Sequence, residues 1–471
     1  MVKPRLLRTL LLSIVCTAFL IGCGSVMTKN KFYGPITADL QNQNYQAAVH
    51  KIEKARDDNQ YAKKDRLLFY LDFGLANHYA SSHDLSIENL SLAEQSSDEL
   101  FTKSISRAAL SLALNDNILE YSGEDYEILY TNLIKALDFM AENKFDDAFV
   151  EIRRSNEKLD LLETKYVDAA RSFKATKPKD DTLHINENLS YDIDKVRFNN
   201  DAFGRYMSMH LYAAEGKMDD ARLDYDMMKS AFETQPEIYN FSPPEVKFAP
   251  ESGAILSVVG LAGLPPVKEA VNLRIRTDKD LDLVQVLYTD GPNKDAEYSH
   301  LAFPVSEDYY FKFSLPKLVG QPSEISRIKV WVDDRPLGEL QLIEDVSQVA
   351  QETFRAKKSL VYFRTIARAL FKGLAAHRAK QKIDKKHEGL GGWLMKAAVD
   401  VTTDVSENAD LRCSHLLPGR VYVGDFELEP GIYNIRVDFI GHNGVVIKSA
   451  GYPEYEVKVN GWNLIEAFSL N

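Results

Sequence analysis

Cysteine is nearly missing from this sequence: Cys16, Cys23 and Cys413 are the three thiols in 471 residues. So sparse a set excludes a disulfide framework and a cysteine-rich zinc site. Cys413 lies in Leu411-Arg412-Cys413-Ser414-His415. The nearby histidine invites a nucleophile, but the plainer reading is a small apolar residue in or beside a strand. Positive charge is also in deficit. Fifty-seven Lys and Arg face 69 Asp and Glu, a net −12, which lacks the basic footprint of a nucleic-acid binder. Beyond the N-terminus no apolar run approaches the ~20 residues of a helical membrane span. His-Glu-x-x-His, Gly-x-Ser-x-Gly and Walker-type motifs are absent too. Gly389-Leu390-Gly391-Gly392 has no accompanying Lys-Ser/Thr pair. The sequence therefore suggests no catalytic residues, no metal ligands and no cofactor, and we read the chain as not an enzyme. A triad assembled from distant residues would escape such a search.

What is present begins at the N-terminus. Lys3, Arg5 and Arg8 precede an apolar run from Leu10 to Ile21, which closes on Leu20-Ile21-Gly22-Cys23. A basic head, a short apolar stretch and a small residue describe an export signal. The ending resembles the lipobox of bacterial lipoproteins, where a thiol is nucleophilic enough to accept a diacylglyceryl group. The resemblance implies a signal peptide over 1–22, lipidation at Cys23 and a tether over 23–35. Gly24 and Ser25 follow with no Asp, which by the same resemblance implies sorting to the outer membrane; the resemblance leaves the side open, and we expect the periplasmic one. Two or more acyl chains would hold the protein there, at about 0.8 kcal/mol per buried CH₂.

From 36 to 242 a pattern recurs at offsets 0, +3, +7 and +10, a single helical face. It reads Tyr45, Ala48, Ile52, Ala55; then Phe145, Ala148, Ile152, Ser155; then Met218, Ala221, Tyr225, Met228. His83, Ser86, Leu90 and Ala93 make a looser copy. Ala136 and Phe139 precede the second copy as Met209 and Tyr212 precede the third. The order, helix then polar turn then helix with a small contact residue, resembles the tetratricopeptide repeat, although the copies depart from its period of about 34 residues. Thr176 to Ser190 reads as an interrupting loop, and Ser122 as the cap of the helix after Gly123-Glu124-Asp125. A stack of such pairs offers a groove to another protein or serves as a rigid spacer.

From 252 the period becomes two. Ala254–Val259, Leu273–Arg276, Val284–Tyr288, Tyr310–Leu315 and Ile328–Val332 read as strands in a β-rich part over 252–345. A second part, 405–471, contains the alternating Tyr433, Ile435, Val437 and Phe439. There Asn460-Gly461 predicts a hairpin between the Tyr455–Val459 strand and Trp462–Leu470. Between them lies a helical block, 346–404, whose Arg364, Arg368 and Lys372 oppose an apolar stripe. That helix covers a sheet with its charges in water, or lies on an anionic membrane. The fold class is α+β: a tetratricopeptide-like helical region, then a β-sandwich-like region with an inserted helical block.

Several stretches together resemble a family of bacterial lipoproteins of unassigned function. They include Ser122–Glu127, Asp201-Ala202-Phe203-Gly204-Arg205-Tyr206, Gly260–Lys268, Thr365–Ala369, Ala409-Asp410-Leu411-Arg412 and Leu428-Glu429-Pro430-Gly431. The family usually has an aromatic residue where this chain has Cys413. The expected function is a protein-binding scaffold for envelope proteins, anchored to the membrane by its lipid. Glycan binding through the aromatic-rich β half and a dispersed hydrolase site are the alternatives.

Overall fold

A computed structural model of the chain describes residues 30–106, 119–175, 198–278, 283–288, 298–302, 310–355, 358, 361, 365 and 409–471. The protein is α+β. Helices fill the first half: α1 (Asn30–Gln41), α2 (Tyr45–Asp57), α3 (Arg66–Tyr79), α4 (His83–Ser106), α5 (Asp125–Ala141), α6 (Phe145–Ala175), α7 (Ala202–Ala214) and α8 (Met218–Thr234). Consecutive helices pack as pairs, α1 on α2, α3 on α4, α5 on α6 and α7 on α8, and each pair touches the next.

Within each of these four pairs the two helices are joined by one and the same turn. In the first, Gln43 N–H donates to Leu40 O and Asn44 N–H to Asp39 O. The identical pattern runs from Ser81 and Ser82 to His78 and Asn77, from Asn143 and Lys144 to Met140 and Phe139, and from Gly216 and Lys217 to Ala213 and Tyr212. These are Schellman caps, which satisfy the last carbonyls of the first helix through a residue in the left-handed region. That residue is Gln43, Ser81, Asn143 or Gly216, with φ of 63°, 56°, 58° and 75°.

Strands run from Ala254 to Asp345 and from Arg420 to Ser469. They are β1 (Ala254–Ala262), β2 (Val267–Asp278), β3 (Leu283–Tyr288), β4 (Tyr298–Ala302), β5 (Tyr310–Val319), β6 (Ile325–Val332), β7 (Arg335–Glu339), β8 (Gln341–Asp345), β9 (Arg420–Leu428), β10 (Gly431–Gly441), β11 (Val446–Val457) and β12 (Asn463–Ser469). Among the described residues three sheets result, in the orders β12-β1-β9-β8, β11-β10-β6-β7 and β4-β3-β2-β5. The two β-rich stretches share the first two sheets. Residues 346–355, just after β8, are helical.

The first sheet is the middle layer. All nine residues of β1 are buried, and they alternate between two cores because successive side chains point to opposite faces. Leu256, Val258 and Ala262 join Ile328, Val330, Val437 and Phe439 of the second sheet. Val259 and Leu261 join the core of the helices. The predicted Asn460-Gly461 hairpin does not form a strand pair. β12 leaves β11 and runs parallel to β1, Leu256 opposite Asn463 through Ala262 opposite Ser469. The reason is burial: Ile465 and Ala467 face one core while Leu464 and Phe468 face the other. A strand apolar on both faces needs a sheet covered on both faces.

Candidate functional site

Among the polar residues on the face of the first sheet turned to the helices are Ser257 on β1, Asp425 on β9, Glu466 on β12 and Glu344 on β8. Each finds partners on the first helix of a pair or nearby. Asp425 Oδ1 accepts from Tyr206 OH at 2.9 Å and Ser257 Oγ at 2.6 Å, and Oδ2 accepts from Lys247 N–H at 3.0 Å. His210 Nε2 lies 3.1 Å from the same carboxylate, its ring stacked on Trp462 at 4.9 Å. Burial pushes Asp425 up, but His210 and the surrounding donors outweigh it and hold the carboxyl below its usual range. Serine, histidine and aspartate thus meet, yet the hydroxyl is bonded to the carboxylate rather than to the ring. The base needed to activate a serine does not face it.

A second cluster centres on Asp138 of α5. Its Oδ1 lies 2.8 Å from His78 Nδ1 and 2.6 Å from His83 Nδ1, and its Oδ2 accepts from Ser86 Oγ at 2.6 Å. His78 Nε2 reaches Glu466 Oε1 at 2.8 Å. Asp138 is fully buried, and His83 keeps one-fifth of its side chain exposed. Burial opposes charge on His78, but the Glu466 and Asp138 carboxylates prevail and raise it well above the ordinary imidazole range. The ligand atoms of His78, His83 and Asp138 all lie within 4.8 Å of one another, a spacing that could hold a metal ion.

A third network surrounds the buried segment 409–419, which threads between helices and sheet. A buried loop must find partners for its backbone. Ser414 N–H donates to Glu127 Oε1 at 2.6 Å, and Leu416 O accepts from Tyr79 OH at 2.9 Å. Asp72 accepts from Ser414 Oγ at 2.7 Å, Tyr33 OH at 2.6 Å and Tyr61 OH at 2.9 Å. Burial pushes Asp72 and Glu127 each up to about 7. Lys268 of β2 pairs with Glu124, the cap of α5. That cap is a correction to the expected Ser122: Glu124 and Glu127 form a reciprocal capping box. Cys413 is wholly buried, and burial pushes its thiol up to about 12. His415 is stacked on Tyr33 at 3.9 Å and pushed by burial down to about 3. A thiol so placed is inert.

Of the residues singled out in the sequence, Ala48, Ile52, Ala55, Ala136, Ala148, Ile152 and Ala221 are buried in the helical core. Tyr45, Phe139, Tyr212 and Tyr225 pack against it in part. Phe145 and Met218, by contrast, are 39% and 41% exposed. They open the second helix of their pairs, where the partner helix has already ended. Cys23, Arg364, Arg368, Lys372 and the loop Thr176–Ser190 lie outside the described residues. The looser copy is the best buried. His83 is partly covered, and Ser86, Leu90 and Ala93 are sealed. Ser86 stands where the other copies have alanine because Asp138 faces it.

Sequence reasoning missed the Asp138 cluster. His78 and His83 straddle a turn, and their shared carboxylate comes from another helix. Tyr45, Tyr79 and Phe468, with Gln43, Asn44 and Ser81, line an open cavity of about 410 Å³. Lys448 donates to Tyr45 OH and to Phe468 O, both at 2.6 Å, and burial lowers its amine to about 8. Among the described residues no helix is long and apolar enough to cross a membrane. Compared with known proteins, the chain matches no family model, no curated protein and no solved structure.

Proposed function

We propose that the chain is a bacterial outer-membrane lipoprotein of the family it resembles, acylated at Cys23, that acts from the periplasmic face as a non-enzymatic scaffold for envelope proteins. One observation carries this reading: in each of four successive helix pairs the two helices are joined by the same Schellman turn. Serial helix pairs of this kind support a tetratricopeptide-like array, an architecture that builds extended binding surfaces. The sandwich-like β half is then its support.

The surface left for a partner is that of the second helices. First helices supply most of the bonds to the β half, Gln41 to Leu470 O, His78 to Glu466 and Tyr206 to Asp425, and the second helices add one at their very start, Tyr45 OH from Lys448. Exposed apolar side chains sit instead on α4 (Leu85), α6 (Val150, Leu161) and α8 (Leu223). Photo-crosslinking residues placed at Val150, Leu161 and Leu223 in cells should trap one discrete adduct. A set of diffuse or absent adducts at all three would sink the reading. Cys23→Ser should move the protein out of the membrane fraction.

Glycan binding is the second reading, and the cavity beside Tyr45, Tyr79 and Phe468 favours it. Rings next to amide side chains suit a sugar face and its hydroxyls. Sedimentation with purified peptidoglycan separates the two, since a protein scaffold stays in the supernatant.

A further inference from the structure

Two imidazole nitrogens directed at one buried carboxylate oxygen are an uncommon use of a protein interior. Asp138 Oδ1 has His78 Nδ1 at 2.8 Å and His83 Nδ1 at 2.6 Å, and the three side chains come from α3, α4 and α5. The groups behind them are also fixed. His78 turns its other nitrogen to Glu466 Oε1 at 2.8 Å, the carboxylate backing that metal-bound histidines commonly have. Ser86 Oγ holds the second oxygen of Asp138 at 2.6 Å. Access is one-sided, because His78 and Asp138 are 1% and 0% exposed while His83 is 20% exposed.

We propose that His78 Nδ1, His83 Nδ1 and a carboxylate oxygen of Asp138 bind a divalent transition-metal ion of the zinc type, which clamps the α3–α4 turn to α5. Two nitrogens and one carboxylate oxygen are a ligand set that zinc accepts, with a fourth position left for water. Each histidine then carries its proton on Nε2, and that of His78 stays on Glu466. The dication is balanced by the charges of Asp138 and Glu466. The nitrogen–oxygen distances of 2.6 and 2.8 Å are shorter than the edge, about 3.3 Å, of a tetrahedron with bonds of ~2.0–2.1 Å. Binding therefore opens both gaps, by about 0.7 Å at His83, the one ligand at the surface, and by about 0.5 Å between His78 and Asp138. The site is independent of the scaffold reading.

The test uses the full untagged chain in detergent, stripped by chelator and titrated with Co²⁺, then Zn²⁺. One Co²⁺ per chain should give tetrahedral visible absorption without a sulfur charge-transfer band, and Zn²⁺ should bleach it and raise Tm. His83→Ala should abolish the band and the Tm rise. Glu466→Gln, which keeps a hydrogen-bonding group against His78, should weaken Zn²⁺ about 10–100-fold. The proposal is overturned if the unmodified chain takes up no stoichiometric Co²⁺. Co²⁺ or Zn²⁺ affinity unchanged in either variant overturns it as well. Failure of His83→Ala to fold leaves the Glu466→Gln arm to decide.

Discussion

The guanidinium of Arg412 donates to Asp65 Oδ1 at 2.8 Å, with each side chain 3% exposed, joining points 347 residues apart in the chain. Asp410 completes the cage through bonds of 2.9 and 2.7 Å, and Leu119 O accepts at 3.0 Å. Burial works against both charges, but each outweighs it for the other: Asp410 is held down to about 2. The pair fastens the buried segment after residue 409 to the start of α3.

Arg412→Met should therefore destabilise the fold by about 3–5 kcal/mol, because Asp65 stays buried and Asp410 stays half-buried without their cation. Urea denaturation reads this directly. A loss under 1 kcal/mol would mean that water reaches Asp65 and Asp410 in the folded protein.

Asp72 gives a pH signature. Its folded carboxyl titrates at about 7 against an ordinary 3.8, burial being the main cause and the bonds from Tyr33, Ser414 and Tyr61 pulling the other way. Between those values the folded state holds a proton that the unfolded state has released. The associated stability is complete below pH 3.8 and is lost as pH rises through about 7. Asp72→Asn removes this term while keeping the shape. Variant stability minus parent stability should grow by about 2–4 kcal/mol from pH 4.5 to 7.5. A difference that is flat with pH would contradict the account.

Gly74 on α3 packs directly against Leu90 of α4. A Cβ there would sit 2.7 Å from Leu90 Cγ and Cδ2. Gly74→Ala should cost about 1–3 kcal/mol by overpacking. Leu90→Ala alone should cost about 2–5 kcal/mol as a cavity. The double variant should lose less than the sum, since the added methyl enters the vacated space. Additive losses would place the strain elsewhere.

Much of this was legible in the chain, and the failures share a cause. Ala48, Ala148 and Ala221 were readable as contact positions because helical period and burial coincide there. Phe145 and Met218 belong to the same stripe but stay exposed, since a one-dimensional period does not say where the partner helix stops. The Asn460-Gly461 turn looked like a hairpin because local turn chemistry is silent on which sheet needs a strand covered on both faces. β12 answers that need. His78, His83 and Asp138 carry no motif spacing: sixty residues separate His78 from Asp138, and packing alone unites them. Ser86 in place of an alanine was the one visible trace.

The shared turn supplies the last prediction. Gln43, Ser81 and Asn143 hold φ of 63°, 56° and 58°, where Gly216 holds 75°, and all four are exposed. Side-chain contacts therefore contribute little, and the backbone conformation decides. A left-handed residue with a Cβ costs roughly 1–2 kcal/mol, and glycine offsets this by its own loss of freedom, about 0.5–1 kcal/mol. Ser81→Gly should thus stabilise by about 0.5–1 kcal/mol. Asn143→Gly should change little, because asparagine tolerates this region. Gly216→Ala meets nothing within 4 Å, so its expected loss of about 1 kcal/mol is conformational alone. Urea midpoints of the three variants should fall in that order. If Ser81→Gly destabilises, the turn at Ser81 is held by its side chain, and the helices of the four pairs are not joined by one common device.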